Sequence, residues 1–187
     1  KITEGKFKDF SMTADQRYEL YIAAWLHDCG KVATPPHVVD KSTKLETIFD
    51  RIELVKTRME LLKRDAEIAF LKRQLNGQKS DTFDEEYKET VRQIEENMAF
   101  LETCNVGGEF MKPDLQDRVN SIGEQQVNLY GKKQNFLTDE ELKNLNIPKG
   151  TLLPEEREII NDHIVITIEM LEQLPYPKHL KNVPEFA

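Results

Sequence analysis

The 187-residue sequence predicts an all-α protein. Nearly every periodic segment repeats its apolar residues at helical spacing, and no run alternates as a half-buried strand does. Charged residues make up 32% of the chain and hydrophobic ones 39%, a charge-rich balance that fits long solvated helices beside a smaller core.

The first helix is Tyr18-Glu19-Leu20-Tyr21-Ile22-Ala23-Ala24-Trp25-Leu26, which has no turn former and few polar residues and so reads as buried. His27-Asp28-Cys29-Gly30-Lys31 ends it, with Gly30 as the stop. Thr34-Pro35-Pro36 then predicts an extended loop to about Lys44, because proline also disfavours helix for the residue before it.

Ile48, Ile52, Val55, Met59, Leu62, Ala66 and Ala69 recur at alternating spacings of four and three, a heptad seam on a helix reaching Leu75. Thr43 and Glu46 form a capping box at its start. A helix of about 30 residues is on the order of 45 Å long, so it projects from a small core. Asn76-Gly77 with Ser80-Asp81 supplies the turn, and Tyr87, Val91, Ile94, Met98 and Leu101 make a second seam. The first arm carries Lys56, Arg58, Lys63, Arg64, Lys72 and Arg73, whereas the second is rich in Asp and Glu, so an antiparallel hairpin over 45–104 pairs opposite charges.

A weaker helix follows from Pro113 to Tyr130, then a short one capped by Thr138 and Glu141. Pro154 opens the last long helix, and Glu155, Glu156 and Glu158 complement the positive end of its dipole. Ile159, Ile160, Ile164, Val165, Ile166 and Ile168 make it apolar on most sides, hence buried.

A formal net charge of −8 argues against a DNA or RNA polymer as partner. Cys29 and Cys104 match no metal-ligand spacing and read as reduced thiols in a cytoplasmic setting. No apolar run approaches the roughly 18 residues of a membrane span, and no leader begins at Lys1, so the chain as given is expected to be soluble.

His27 and Asp28 unite an imidazole with a carboxylate, a ligand pair suited to Mn, Fe, Zn or Mg, and a carboxylate can bridge two ions. Adjacent helical side chains point about 100° apart, so sharing an ion requires an irregular helix end. A bare His-Asp pair is more often a solvated helix terminus; the apolar helix, glycine and lysine around this one set it apart. His163 stands on the stripe Ile159, His163, Ile166 and Met170, where a histidine is ordinarily a core residue and otherwise a further ligand. Lys31 is either an exposed loop cation or a clamp for substrate phosphate, with Lys41 and Lys44 extending a positive rim. His37 and His179 lie beside prolines and are not counted as ligands; His179, with Lys178 and Lys181, is a candidate phosphate contact.

Ala24-Trp25-Leu26-His27-Asp28-Cys29-Gly30-Lys31, Lys41-Ser42-Thr43-Lys44-Leu45, and Leu153-Pro154-Glu155-Glu156-Arg157 through His163 resemble the HD superfamily of metal-dependent phosphohydrolases, in its HD-GYP branch. The likeness covers about Phe10 to Leu45 and Leu152 to Ala187. It implies His27, Asp28 and His163 as ligands of a centre holding two or more divalent metal ions, Lys31 on substrate phosphate, and Asp28 and Lys31 as catalytic groups. The implied reaction is attack of a metal-activated hydroxide on a phosphodiester such as that of cyclic di-GMP. Departures from the family pattern are the lack of a histidine before His27, the lack of the later His-Glu pair and Gly-Tyr-Pro signature, and Ser42-Thr43 in place of Pro-Gly. The sequence is therefore expected to be the middle of such a domain, with 1–44 and 151–187 as its core, 45–150 as a helical insertion, and an incomplete site.

Two functions are compatible with this pattern: hydrolysis of a cyclic dinucleotide or another nucleotide phosphate ester, and a regulatory or scaffolding role in which the hairpin mediates homodimerisation. The resemblance also implies an upstream sensor domain and a membrane anchor in the parent protein.

Overall fold

Helices carry the fold, as expected, with one two-stranded ribbon among them. The computed structural model describes residues 4–6, 10–77, 81–108, 110–129 and 131–187. In chain order the elements are α1 (Ala14–Leu26), a first 3-10 turn (Cys29–Ala33), α2 (Pro36–Val39), α3 (Ile52–Leu75), α4 (Asp81–Val106), α5 (Pro113–Gly123), β1 (Gln126–Leu129), β2 (Lys132–Asn135), α6 (Asp139–Leu145), α7 (Pro154–Asn161), α8 (His163–Glu172), a second 3-10 turn (Lys178–Leu180) and α9 (Val183–Phe186). Lys1, Ser80 and Tyr130, which the sequence places at a leaderless start, in a turn and at a helix end, lie outside the described residues. The chain divides into two units, Lys1–Val39 with Pro154–Ala187, and Asp40–Leu153.

In the unit spanning Asp40–Leu153, α3 and α4 form an antiparallel hairpin. Lys56 pairs with Glu102 at 3.0 Å and Lys63 with Glu95 at 3.0 Å, so one heptad forward on α3 is one heptad back on α4. Farther out, Arg73 meets Glu86 at 3.2 Å, and the rings of Phe70 and Tyr87 stack with centroids 4.7 Å apart. The base of the seam, with Val55, Met59 and Leu101 each at most 2% exposed, joins Val119, Phe136 and Leu145 in the core.

Helix α3 begins at Ile52, later than the sequence predicts. Asp50 is the cause: its Oδ1 accepts from Ile52 N at 2.9 Å, while its Oδ2 accepts from Thr43 Oγ1 at 2.8 Å and from Asn105 Nδ2 at 2.9 Å. Half of the expected box survives, since Glu46 still accepts from Thr43 N at 3.2 Å, but the Thr43 hydroxyl is committed to Asp50. The expected helix to residue 130 stops at Gly123, where a Cβ would meet Leu142 Cδ1 at 2.8 Å. The chain continues as β1, which pairs antiparallel with β2 in the register Gln126 with Asn135 through Leu129 with Lys132. The capping box of α6 forms as expected, with Glu141 N donating to Thr138 Oγ1 at 3.2 Å and Thr138 N to Glu141 Oε2 at 2.9 Å.

In the other unit, α1 packs on α9, and α8 packs on the first 3-10 turn. Its interior is built from Ala23, Val38, Leu171 and Val183, each at most 2% exposed. Glu19 is also buried and ties α1 to the start of α9, accepting from Asn182 N at 2.7 Å and Asn182 Nδ2 at 3.2 Å. The expectation that α1 and the last helix are buried is corrected: Trp25 is 71% exposed, Ile164 54% and Val165 55%. A few short elements shield one stripe of each helix and leave the rest open. The last helix is also split at Asp162 into α7 and α8. Pro36 opens the short α2 inside the expected loop, at a first helical position where its missing N–H costs nothing. Among the described residues no helix is long and apolar enough to cross a membrane.

Candidate metal centre

His27 is the C-cap of α1, with helical dihedrals of −54° and −24°. Asp28 leaves the helix at φ −113° and ψ 10°, and this break brings the two neighbouring side chains to one place. His27 Nε2 lies 3.1 Å from Asp28 Oδ2. The irregularity falls at Asp28 rather than Gly30.

His163 is the first residue of α8, and its Nε2 lies 3.2 Å from Asp28 Oδ1. Gly30 makes the approach possible. A Cβ there would stand 2.2 Å from His163 O and 2.6 Å from Thr167 N, and Gly30 N donates to Thr167 Oγ1 at 2.9 Å. The residue expected to end a helix is needed instead for close packing of the 3-10 turn on α8.

Both imidazoles are oriented in the same way. His27 Nδ1 lies 2.7 Å from Ala24 O, and His163 Nδ1 bonds Ile160 O, each one helical turn back. A carbonyl only accepts, so both Nδ1 atoms carry hydrogen and, in the neutral ring, both Nε2 lone pairs face the Asp28 carboxylate. Two acceptors at that distance are compatible only with a proton or a cation between them.

Lys31 Nζ donates to Asp28 Oδ2 at 2.7 Å. That hydrogen bond, followed by the charge of His27, Lys31 and His163, holds the Asp28 carboxyl below its usual range against the opposing effect of desolvation. The cluster is open: the His27, Lys31 and Asp28 side chains are 55%, 45% and 38% exposed, and that of His163 is 12% exposed. Among the described residues no group of three His, Cys, Asp or Glu side chains closes around a single ion position. The two imidazoles address different oxygens of Asp28. In donor type and imidazole orientation the cluster fits divalent cations.

Lys41 and Lys44 lie in the other unit, buried, and the expected positive rim is corrected. Lys44 is 1% exposed and donates to Leu145 O at 2.9 Å and Ile147 O at 2.7 Å, closing the C-terminal end of α6. Burial lowers its ammonium below the ordinary value. Lys41 Nζ donates to Asn144 Oδ1 at 2.9 Å. His37 is exposed on α2, and the His179 ring stacks on Tyr18 with centroids 6.5 Å apart. Sequence reasoning missed Thr167, Glu19 and the two orienting carbonyls. The one legible signal was the apolar residue three positions before each histidine, which is too common to discriminate.

The model of the HD domain family matches residues 139–187. That span contains His163 and stops short of His27 and Asp28, which tertiary contact alone joins to it. The matched span, about a quarter of the chain, is similar to HD domains, which are in general metal-dependent phosphohydrolases. Nothing matches the chain among the curated proteins or among the solved structures.

Proposed function

We propose that this chain carries ligand-bearing segments of a phosphohydrolase of the HD-GYP type, acting on a phosphodiester such as that of cyclic di-GMP. The observation that carries the reading is the pair of pinned imidazoles on one carboxylate: His27 and His163, distant in sequence, each with Nδ1 held by a carbonyl and Nε2 aimed at Asp28. His27, Asp28 and His163 would hold the cations. A divalent ion in such a donor set supplies a Lewis acid that polarises phosphate and lowers the pKa of water.

The chain's own groups do the rest. The backbone fixes both rings before any ligand arrives, which reduces reorganisation on binding. Lys31 offers a half-exposed ammonium beside the carboxylate, placed to offset charge on a bound phosphoryl group. Hydrolysis adds water across one P–O bond and returns a proton to the leaving alkoxide.

Titration with Mn2+, followed through the histidine ring resonances, tests the site. Paramagnetic broadening of His27 and His163 together is expected, and its loss in Asp28→Asn. Broadening of neither ring overturns the reading. The substrate is tested by 31P spectra of the Mn2+-loaded chain with cyclic di-GMP and, separately, a nucleoside monophosphate; turnover of the monoester alone would favour the wider nucleotide phosphatase class.

A further inference from the structure

Helix α3 has two apolar rows, and the hairpin uses one of them. Val55, Met59 and Leu62 pack toward the core and α4. Leu54, Leu61, Ile68 and Leu75 form the other, every seventh residue along the whole helix, and they are 48%, 45%, 48% and 86% exposed. Leu71, 46% exposed, lies on the same side. A solvated helix face gives no reason for a seven-residue apolar repeat, whereas a partner helix coiling along it does. Near the base, Leu54 and Leu61 line a cavity of about 550 Å³ with Leu129, leaving room for side chains from outside.

We propose that this row is a dimer interface in which α3 of a second copy lies parallel to α3 of the first. The flanking charges select both the occupant and its direction. Glu53, Glu60 and Glu67 line one side of the row, and Arg58, Asp65 and Lys72 the other. In a parallel pair, Glu67 faces the second copy's Lys72 and Glu53 approaches the second copy's Arg58; among the flanking pairs only Glu60 meets a like charge, the second copy's Asp65, while within the seam Arg64 lies beside the second copy's Arg64. Reversing the second helix so that Glu60 faces Glu67 brings Arg58 to Asp65, and shifting it by one heptad sets Arg58 against Lys72 and Asp65 against itself, so neither reversed register gains net attraction. Arg58 is already held by Glu141 at 2.7 Å, so Glu67 and Lys72 contribute most of the attraction. Thr57 and Arg64 occupy intervening positions, which makes the association reversible rather than obligate. The inference is independent of the hydrolase reading, because every residue in it belongs to the unit spanning Asp40–Leu153.

Sedimentation velocity of the full 187-residue chain over a concentration series is the first measurement, with a reversible monomer–dimer equilibrium expected. Ile68→Glu is expected to give monomer with unchanged helicity by circular dichroism, since Ile68 is half exposed and its change leaves the core intact. Asp65→Lys, which turns the repulsive flanking pair with Glu60 attractive, is expected to tighten the dimer several-fold. Leu75→Cys is expected to cross-link on mild oxidation, unlike wild type, because only the parallel register sets residue 75 against its own copy. A chain monomeric at every concentration, or dimerisation surviving Ile68→Glu, overturns the interface. Failure of Leu75→Cys to cross-link, or weakening by Asp65→Lys, overturns the parallel arrangement.

Discussion

Asp28 Oδ1 stands 3.2 Å from His163 Nε2, so the end of α1 and the first turn of α8 meet at one carboxylate. Asp28→Asn keeps the shape and removes the charge. Mn2+ affinity is expected to fall at least about tenfold, with stability little changed because the side chain is partly exposed. Calorimetric Mn2+ titration beside a thermal melt checks both, and a large loss of stability with metal binding intact would contradict the assignment.

Gly30 sets how closely the 3-10 turn approaches α8. Gly30→Ala places a methyl group against backbone at His163 and Thr167 and is expected to cost about 1–3 kcal/mol or more, with loss of metal affinity although no ligand is altered. Thr167→Val, which removes the acceptor of Gly30 N, is expected to cost about 1–3 kcal/mol. Urea unfolding measures both.

Glu19 is a buried carboxylate accepting two hydrogen bonds from Asn182. Glu19→Ala leaves those donors unmatched and is expected to cost about 1.5–3 kcal/mol, releasing α9 from α1. Faster amide exchange at Asn182, with the 3-10 turn on α8 unaffected, distinguishes this from general unfolding.

Burial raises the Cys104 thiol above its ordinary 9.0 and lowers the Lys44 ammonium below its ordinary 10.5. The folded chain therefore keeps the Cys104 proton after the unfolded chain has released it, so that stability is full below 9.0 and is lost as pH rises through the folded value. Lys44 acts oppositely: the folded chain releases its proton first, and stability rises with pH up to 10.5. Cys104→Ala removes the first effect and, by taking away the thiolate charge that raises Lys44, strengthens the second, so its stability should decline less than that of wild type between about pH 8 and about pH 10. Denaturant midpoints at the two pH values provide the check, and equal slopes would refute the thiol's role.

Lys63 and Glu95 bridge the hairpin at 3.0 Å with the carboxylate half exposed. A double-mutant cycle on this pair is expected to give only a small coupling, shrinking at high salt. A coupling of several kcal/mol would mean that charges rather than the apolar seam hold the arms together.

The hairpin was legible because heptad spacing is local and repeats along many residues, so no single deviation hides it. Its start was not, since Asp50 gains its capping role through Thr43 and Asn105, and Asn105 is distant in sequence. The ribbon after Gly123 was hidden for a similar reason: Leu142 supplies the crowding that favours glycine there. The lysines were misplaced because sequence records their charge but not which carbonyls can receive it, and Lys44 finds those at the end of α6.

By itself, the sequence determined the helical class, the paired arms and the short list of candidate ligands, because side-chain chemistry and periodicity are written residue by residue. Only the tertiary structure decided that His163 reaches Asp28, that Gly30 is there for contact rather than for a turn, and that the outer row of α3 is left uncovered. Each of those depends on which distant backbone arrives within a few ångströms, a property of packing that no local pattern encodes.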